Sequence, residues 1–161
     1  MEWRKAALVA LGWEAAWWAV RRANRAGVYA QAQQVATALQ RPLVVVGAPD
    51  LGATGGYDCG DIVVDIRPSA LANSIVADIC QPLPFRDDSV VVFVSCVLEY
   101  VADYAAALAE LQRISGGYLF VVRVEPWTLT SYFYPGTQRR VPAQAPSPAL
   151  LAAVPPAARS L

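Results

Sequence analysis

The chain has 161 residues, 56% of them hydrophobic and 16% charged, with zero formal net charge and no histidine. That length suits one domain with a substantial core, and an apolar content above the usual soluble level points to deep burial, a partner surface or membrane contact. The missing histidine removes the commonest general base and metal ligand, and the widely spaced Cys59, Cys80 and Cys96 form neither a zinc pattern nor a disulfide framework, which fits a reducing, cytoplasmic setting.

Charge is unevenly placed. Residues 1–41 hold six bases and two acids, residues 42–116 three bases and ten acids, and residues 117–161 four bases and one acid. An acidic middle argues against a nucleic-acid footprint there. The basic ends suit an anionic surface, or pairing with the middle.

The first element is an apolar run, residues 6–20, behind Arg4 and Lys5. It resembles a short signal sequence, with "AQA" at 30–32 as a small-residue site, but Glu14 interrupts it and Arg21–Arg22 separate it from that site. It is also shorter than the roughly 20 residues that span a bilayer. The pattern predicts a helix from about Glu2 to Arg25, with Glu14, Arg21 and Arg25 on one narrow polar stripe. Such a helix packs on the domain or on a second subunit, or lies at a membrane surface with Trp3, Trp13, Trp17 and Trp18 at headgroup level. After Gly27, Val28, Ala32, Val35 and Leu39 recur at helical spacing and predict a second helix, ended by Pro42.

Five short apolar runs follow, at residues 43–47, 61–66, 74–79, 89–97 and 118–126. Continuous, β-branched runs of this kind read as strands buried on both faces of a parallel sheet. Between the fourth and fifth, Asp103 is a suitable N-cap, Tyr104, Leu108, Leu111 and Ile114 form one stripe, and the Ser115-Gly116-Gly117 turn ends the helix. The fold class is therefore α/β with a mostly parallel sheet. Three segments result: N-terminal helices over 1–41, a Rossmann-like three-layer sandwich over 42–141, and a Pro/Ala-rich tail over 142–161. The tail, with Pro142, Pro146, Pro148, Pro155 and Pro156, reads as extended or irregular.

The first strand runs into a glycine-bearing loop, the second ends in Asp65, and Asp78 follows the third. A glycine there lets backbone approach a ligand. A carboxylate at a strand tip accepts from ribose hydroxyls, and the open strand ends form a crevice where strand order reverses. Asp65 also reads as a strand-end acid capping a turn, and Glu99 as a carboxylate favoured at a helix start.

Further motifs complete the pattern: Ala77-Asp78, Leu83-Pro84-Phe85, Asp88-Ser89, Val97-Leu98-Glu99-Tyr100-Val101, Asp103, Glu110, Arg113 and Gly116-Gly117. With these, the run from Leu43 to Val124 resembles the small type of class I S-adenosylmethionine-dependent methyltransferases. The resemblance implies S-adenosylmethionine as cofactor, with Gly47, Ala48, Asp50 and Gly52 under its methionine part. It implies Asp65 on the ribose, Ile66 against the adenine, and Asp78 and Ile79 at the adenine edge. Ser95 and Cys96 would face the methionine end. Glu99 and Tyr100 would open the next helix beside the substrate, and the segment from Glu125 and Trp127 to Tyr134 would shape the acceptor pocket. Glu99, Tyr100 and Glu125 are the candidate catalytic helpers. Cys96 is a poor nucleophile candidate, lacking a histidine or basic neighbour in the sequence.

The chain departs from the family pattern in several places. Pro49 stands where the second glycine is usual, only residues 48–60 separate the first two strands, and Tyr100 replaces a frequent histidine. Val90-Val91 replace an "F-D" pair, and residues 131–141 leave a short stretch for a last hairpin, so the sheet reads as truncated at its C-terminal end. Two functions follow: methyl transfer to an unidentified acceptor, or a non-catalytic methyltransferase-like assembly subunit. The latter would dock on a protein, a second copy or a membrane through residues 2–25 and the tail.

Overall fold

The structure is a computed structural model that describes residues 2–47, 58–123 and 141–154, with side chains from residue 8 onward. Its elements in chain order are α1 (Glu2–Leu39), β1 (Leu43–Val46), β2 (Ile62–Asp65), β3 (Ser74–Val76), β4 (Val91–Ser95), α2 (Tyr104–Ser115), β5 (Leu119–Val122) and α3 (Pro148–Ala153). The five strands form one parallel sheet in the order β3-β2-β1-β4-β5. This is the expected Rossmann-like α/β architecture, and its strand order reverses between β1 and β4.

Strand side chains alternate between faces, so the apolar runs build two cores at once. Val44, Val46, Val92, Val94, Leu119 and Val121 pack under Ala107, Leu111 and Ile114 of α2. Leu43, Val45, Val91, Phe93, Phe120 and Val122 pack under Tyr29, Ala32, Val35 and Ala36 of α1. The Tyr29 ring meets Phe93 edge-on, with centroids 5.4 Å apart. Thus the helix that precedes the sheet supplies one outer layer and α2 the other.

The sequence predicts two N-terminal helices; the structure has a single one of 38 residues. Gly27 lies inside it, and an added Cβ there would meet nothing within 4 Å. One glycine costs a helix about 1 kcal/mol relative to alanine, too little to break a run of alanine, arginine and glutamine. The helix closes at Gln40, which takes the left-handed conformation (φ 52°). The Arg41 N–H then donates to the Ala36 carbonyl over 3.0 Å.

The α2 boundaries follow the sequence reading. The Asp103 carboxylate accepts from the Ala106 N–H at 3.0 Å, and Gly116 (φ 57°) ends the helix while donating to the Gln112 carbonyl. The strands are shorter than the runs that encode them, so Asp78 and Ile79 lie beyond β3. The tail also departs from expectation: Pro148–Ala153 is helical, capped by Ser147 Oγ on the Leu150 N–H. Proline is at ease in a first helical turn, where its missing N–H has no partner to lose. Before α3, Val121 and Gln144 exchange backbone hydrogen bonds of 2.8 and 3.3 Å, laying a short antiparallel segment along the β5 edge.

Several family-pattern residues prove structural. Glu110 accepts from the Leu83 N–H at 2.7 Å and from the Arg113 Nε at 2.8 Å, while Arg113 also donates to the Phe85 carbonyl at 3.0 Å. These bonds tie the Leu83-Pro84-Phe85 loop to α2. The Arg113 guanidinium holds the Glu110 carboxyl below the usual carboxylate range. Asp88, also at positive φ, lies where any side chain on Gly116 would sit and accepts a salt bridge from Arg41.

Candidate functional site

The C-terminal ends of β1, β2 and β3 surround a cavity of about 330 Å³. Gly47 opens it at the end of β1, its N–H held by the Val64 carbonyl at 2.9 Å. Gly47 has φ 100°, and a Cβ there would come within 2.7 Å of Val97 Cγ2. Glycine therefore keeps this wall clear, on both conformational and steric grounds.

Asp65 ends β2 and lines the cavity. One carboxylate oxygen accepts the Arg67 N–H at 2.7 Å, so the turn-capping role is real. Such a bond orients the carboxylate without using up its acceptor capacity. Asp78 is built alike, taking the Cys80 N–H at 2.9 Å. Ile79 is buried beside it, whereas Ile66 is largely exposed. Tyr100, Val97 and Val101 complete the far wall. The cavity thus joins two carboxylates to an otherwise mainly apolar lining, an arrangement that suits a nucleoside: carboxylates to accept from hydroxyl or amino groups, and apolar surface for a base.

Six residues expected at the site, Gly47, Asp65, Ile66, Asp78, Ile79 and Tyr100, are brought together around this cavity. Ser95, Cys96 and Glu99 do not line it. Ser95 and Glu99 are buried at the end of β4, and Cys96, at φ 56°, donates its N–H to the Val122 carbonyl at 2.9 Å. Glu99 and Tyr100 do not open a helix either. They lie in a turn closed by Tyr100 N–H on the Val97 carbonyl at 2.9 Å, and α2 starts only after Asp103. The helix-start explanation for the Glu99 carboxylate therefore falls. Ala48, Asp50, Gly52 and Glu125 lie outside the described residues, as do Pro49, most of the first crossover, and the stretch from Trp127 to Tyr134.

The sequence reading missed Arg25. It comes from α1, seventy-one positions before Cys96, and its Nη2 lies 3.1 Å from the Cys96 sulfur. Burial pushes the Cys96 thiol pKa up, while Arg25 pulls it partly back. The polar stripe of α1 was visible in sequence, but its target at the end of β4 was not. Val97 and Val101 were likewise legible only as part of a motif. Among the described residues there is no metal-binding cluster.

A parallel α/β sheet with its crevice outside the strand ends, beside the reversal of strand order, defines a Rossmann-like domain, a fold whose ligands sit in such crevices. Within it, residues 56–121 match a family model described as a methyltransferase domain. The match agrees with the resemblance carried by the motifs of that stretch. The chain matches no curated protein and no solved structure.

Proposed function

We propose that this chain binds S-adenosylmethionine in the cavity at the ends of β1, β2 and β3 and directs its methyl group to an acceptor. The observation that carries the reading is the convergence of Gly47, Asp65 and Asp78, from the C-terminal ends of three separate strands, on one cavity beside the reversal of strand order. The cofactor supplies an activated methyl group, so the protein's task is to hold and align. Asp65 accepts from the ribose, and Asp78 with Ile79 meets the adenine edge. Gly47 lets the chain run close beneath the ligand. Arg25, beside Cys96 at the end of β4, brings a cation to the half of the edge that the cavity leaves open, where it suits the anionic end of the methionine part. Among the described candidate helpers Tyr100 lines the cavity and is exposed, and its hydroxyl would hydrogen-bond and orient an acceptor there.

Titration calorimetry with S-adenosylhomocysteine tests the reading. Losing one hydrogen-bonded carboxylate should weaken binding about 10- to 100-fold in Asp65→Ala. Absence of binding to the wild-type chain at millimolar ligand would remove the cofactor from the account. Unchanged affinity in Asp65→Ala would mean that the ligand sits elsewhere.

A further inference from the structure

Helix α1 is far longer than the sheet it covers. Its 38 residues span about 57 Å at 1.5 Å per residue, whereas the longest strand, with five residues, spans about 17 Å. Among the described residues, the stretch of this helix that packs in the sheet core runs from Val28 to Leu39. The helix runs back to β1 from the C-terminal edge of the sheet, where Arg25 meets Cys96. The turns before Arg25 therefore project past the edge that carries the cavity.

This projecting half is apolar, and among the described residues nothing covers it. Leu8, Val9, Leu11, Trp13, Trp18 and Val20 are 46–74% exposed. Side chains of this size are seldom left in water in such numbers on one helix. Glu14 is the single charged residue between Ala6 and Val20, with Arg4 and Lys5 before the run and Arg21 and Arg22 after it. No helix among the described residues is long and apolar enough to cross a membrane.

We propose that residues 4–22 dock on the surface of an anionic lipid bilayer. The charge pattern selects this occupant over a second copy of the chain. Pairing two such helices, parallel or antiparallel, brings cationic ends against cationic ends, whereas an anionic surface satisfies both ends together. Each basic residue near such a surface strengthens binding about five-fold. The tryptophans suit the headgroup boundary, where an apolar ring body and a polar N–H are both accommodated. The acidic segment 42–116 is repelled by the same surface, which leaves the helix as the contact and the cavity edge turned toward the lipid. Resting on the cofactor reading, this orientation points to an acceptor carried in the membrane; docking itself does not depend on that reading.

The test is flotation of the full chain with phosphatidylcholine vesicles and with vesicles containing 30% phosphatidylglycerol, alongside tryptophan emission. The wild-type chain should bind the anionic vesicles at least ten-fold better, with a blue-shifted emission, and release in high salt. Arg21→Gln/Arg22→Gln should lower anionic binding about 25-fold by the same per-residue factor, and Leu11→Gln/Trp13→Ser should lower binding to both vesicles. These positions lie off the sheet cores, so circular dichroism and S-adenosylhomocysteine affinity should stay as in the wild type. A folded wild-type chain that stays off anionic vesicles overturns the proposal, as does a charge variant that binds like the wild type. A stable dimer by light scattering that ignores vesicles would assign the face to a second copy. Vesicle binding without S-adenosylhomocysteine binding would uphold docking and remove only the cofactor.

Discussion

Replacing Gly47 with alanine tests the wall of the cavity directly. The backbone at this residue has φ 100°, and forcing an L side chain into left-handed territory costs about 1–2 kcal/mol. The new Cβ would also sit 2.7 Å from Val97 Cγ2, against an ordinary carbon–carbon contact of about 3.5–4.0 Å. Moving Val97 aside costs about another 1–2 kcal/mol, on the scale of modest overpacking. Gly47→Ala should therefore destabilise the chain by about 2–4 kcal/mol. In a Val97→Ala background the clashing methyl is gone and the backbone part alone remains, about 1–2 kcal/mol. Urea denaturation of the four proteins, followed by far-ultraviolet circular dichroism, completes a double-mutant cycle. The steric part should appear as a coupling of about 1 kcal/mol or more. A cost for Gly47→Ala that is equal in both backgrounds would refute the contact with Val97. A cost below about 0.5 kcal/mol in the wild type would refute the strained backbone as well. Because Gly47 and Val97 both line the cavity, affinity for S-adenosylhomocysteine should fall in Gly47→Ala and recover in part in the double variant.

Other expectations follow from the same geometry. Gly27→Ala should raise stability by about 0.5–1 kcal/mol and the melting temperature by a few degrees, since no neighbour lies within 4 Å of the added Cβ; no gain would mean that the helix is broken there. Asp103→Ala should cost about 1 kcal/mol by unfolding titration, through loss of the bond to the Ala106 N–H. The Cys96 thiol, pushed up by burial, holds its proton more tightly when folded than when unfolded. Its contribution to stability is therefore present at neutral pH and lost as pH rises through the folded pKa. Iodoacetamide labelling of Cys96, read by mass spectrometry against pH, should have its midpoint above the ordinary thiol range. Arg25→Met should move it higher still, because the guanidinium favours the thiolate. A midpoint that does not move would dissociate Arg25 from Cys96.

The residues themselves determined the strands, the α2 helix with its two caps, and the acids at the strand tips. Each rests on local chemistry: β-branched runs flanked by turn residues, an aspartate that accepts an orphan N–H, a glycine free to turn left-handed. What the chain alone left open was what depends on distant partners. Gly27 read as a break because its cost is local, while the continuity of α1 rests on the turns around it and on the sheet core against which the second half packs. Glu99 read as a helix-start carboxylate, yet the chain makes a turn before Asp103 and buries it. Glu110 and Arg113 read as family signature and prove to be the tie between α2 and the loop before β4. Arg25 and Cys96 meet only because a parallel sheet sets the end of β4 beside a helix that passes it, a proximity with no trace at seventy-one residues of separation. Likewise the acids of two strand tips share a cavity only once β3, β2 and β1 lie side by side. The sequence could place each carboxylate near the end of a strand; strand order, a long-range property, decided that they line one cavity.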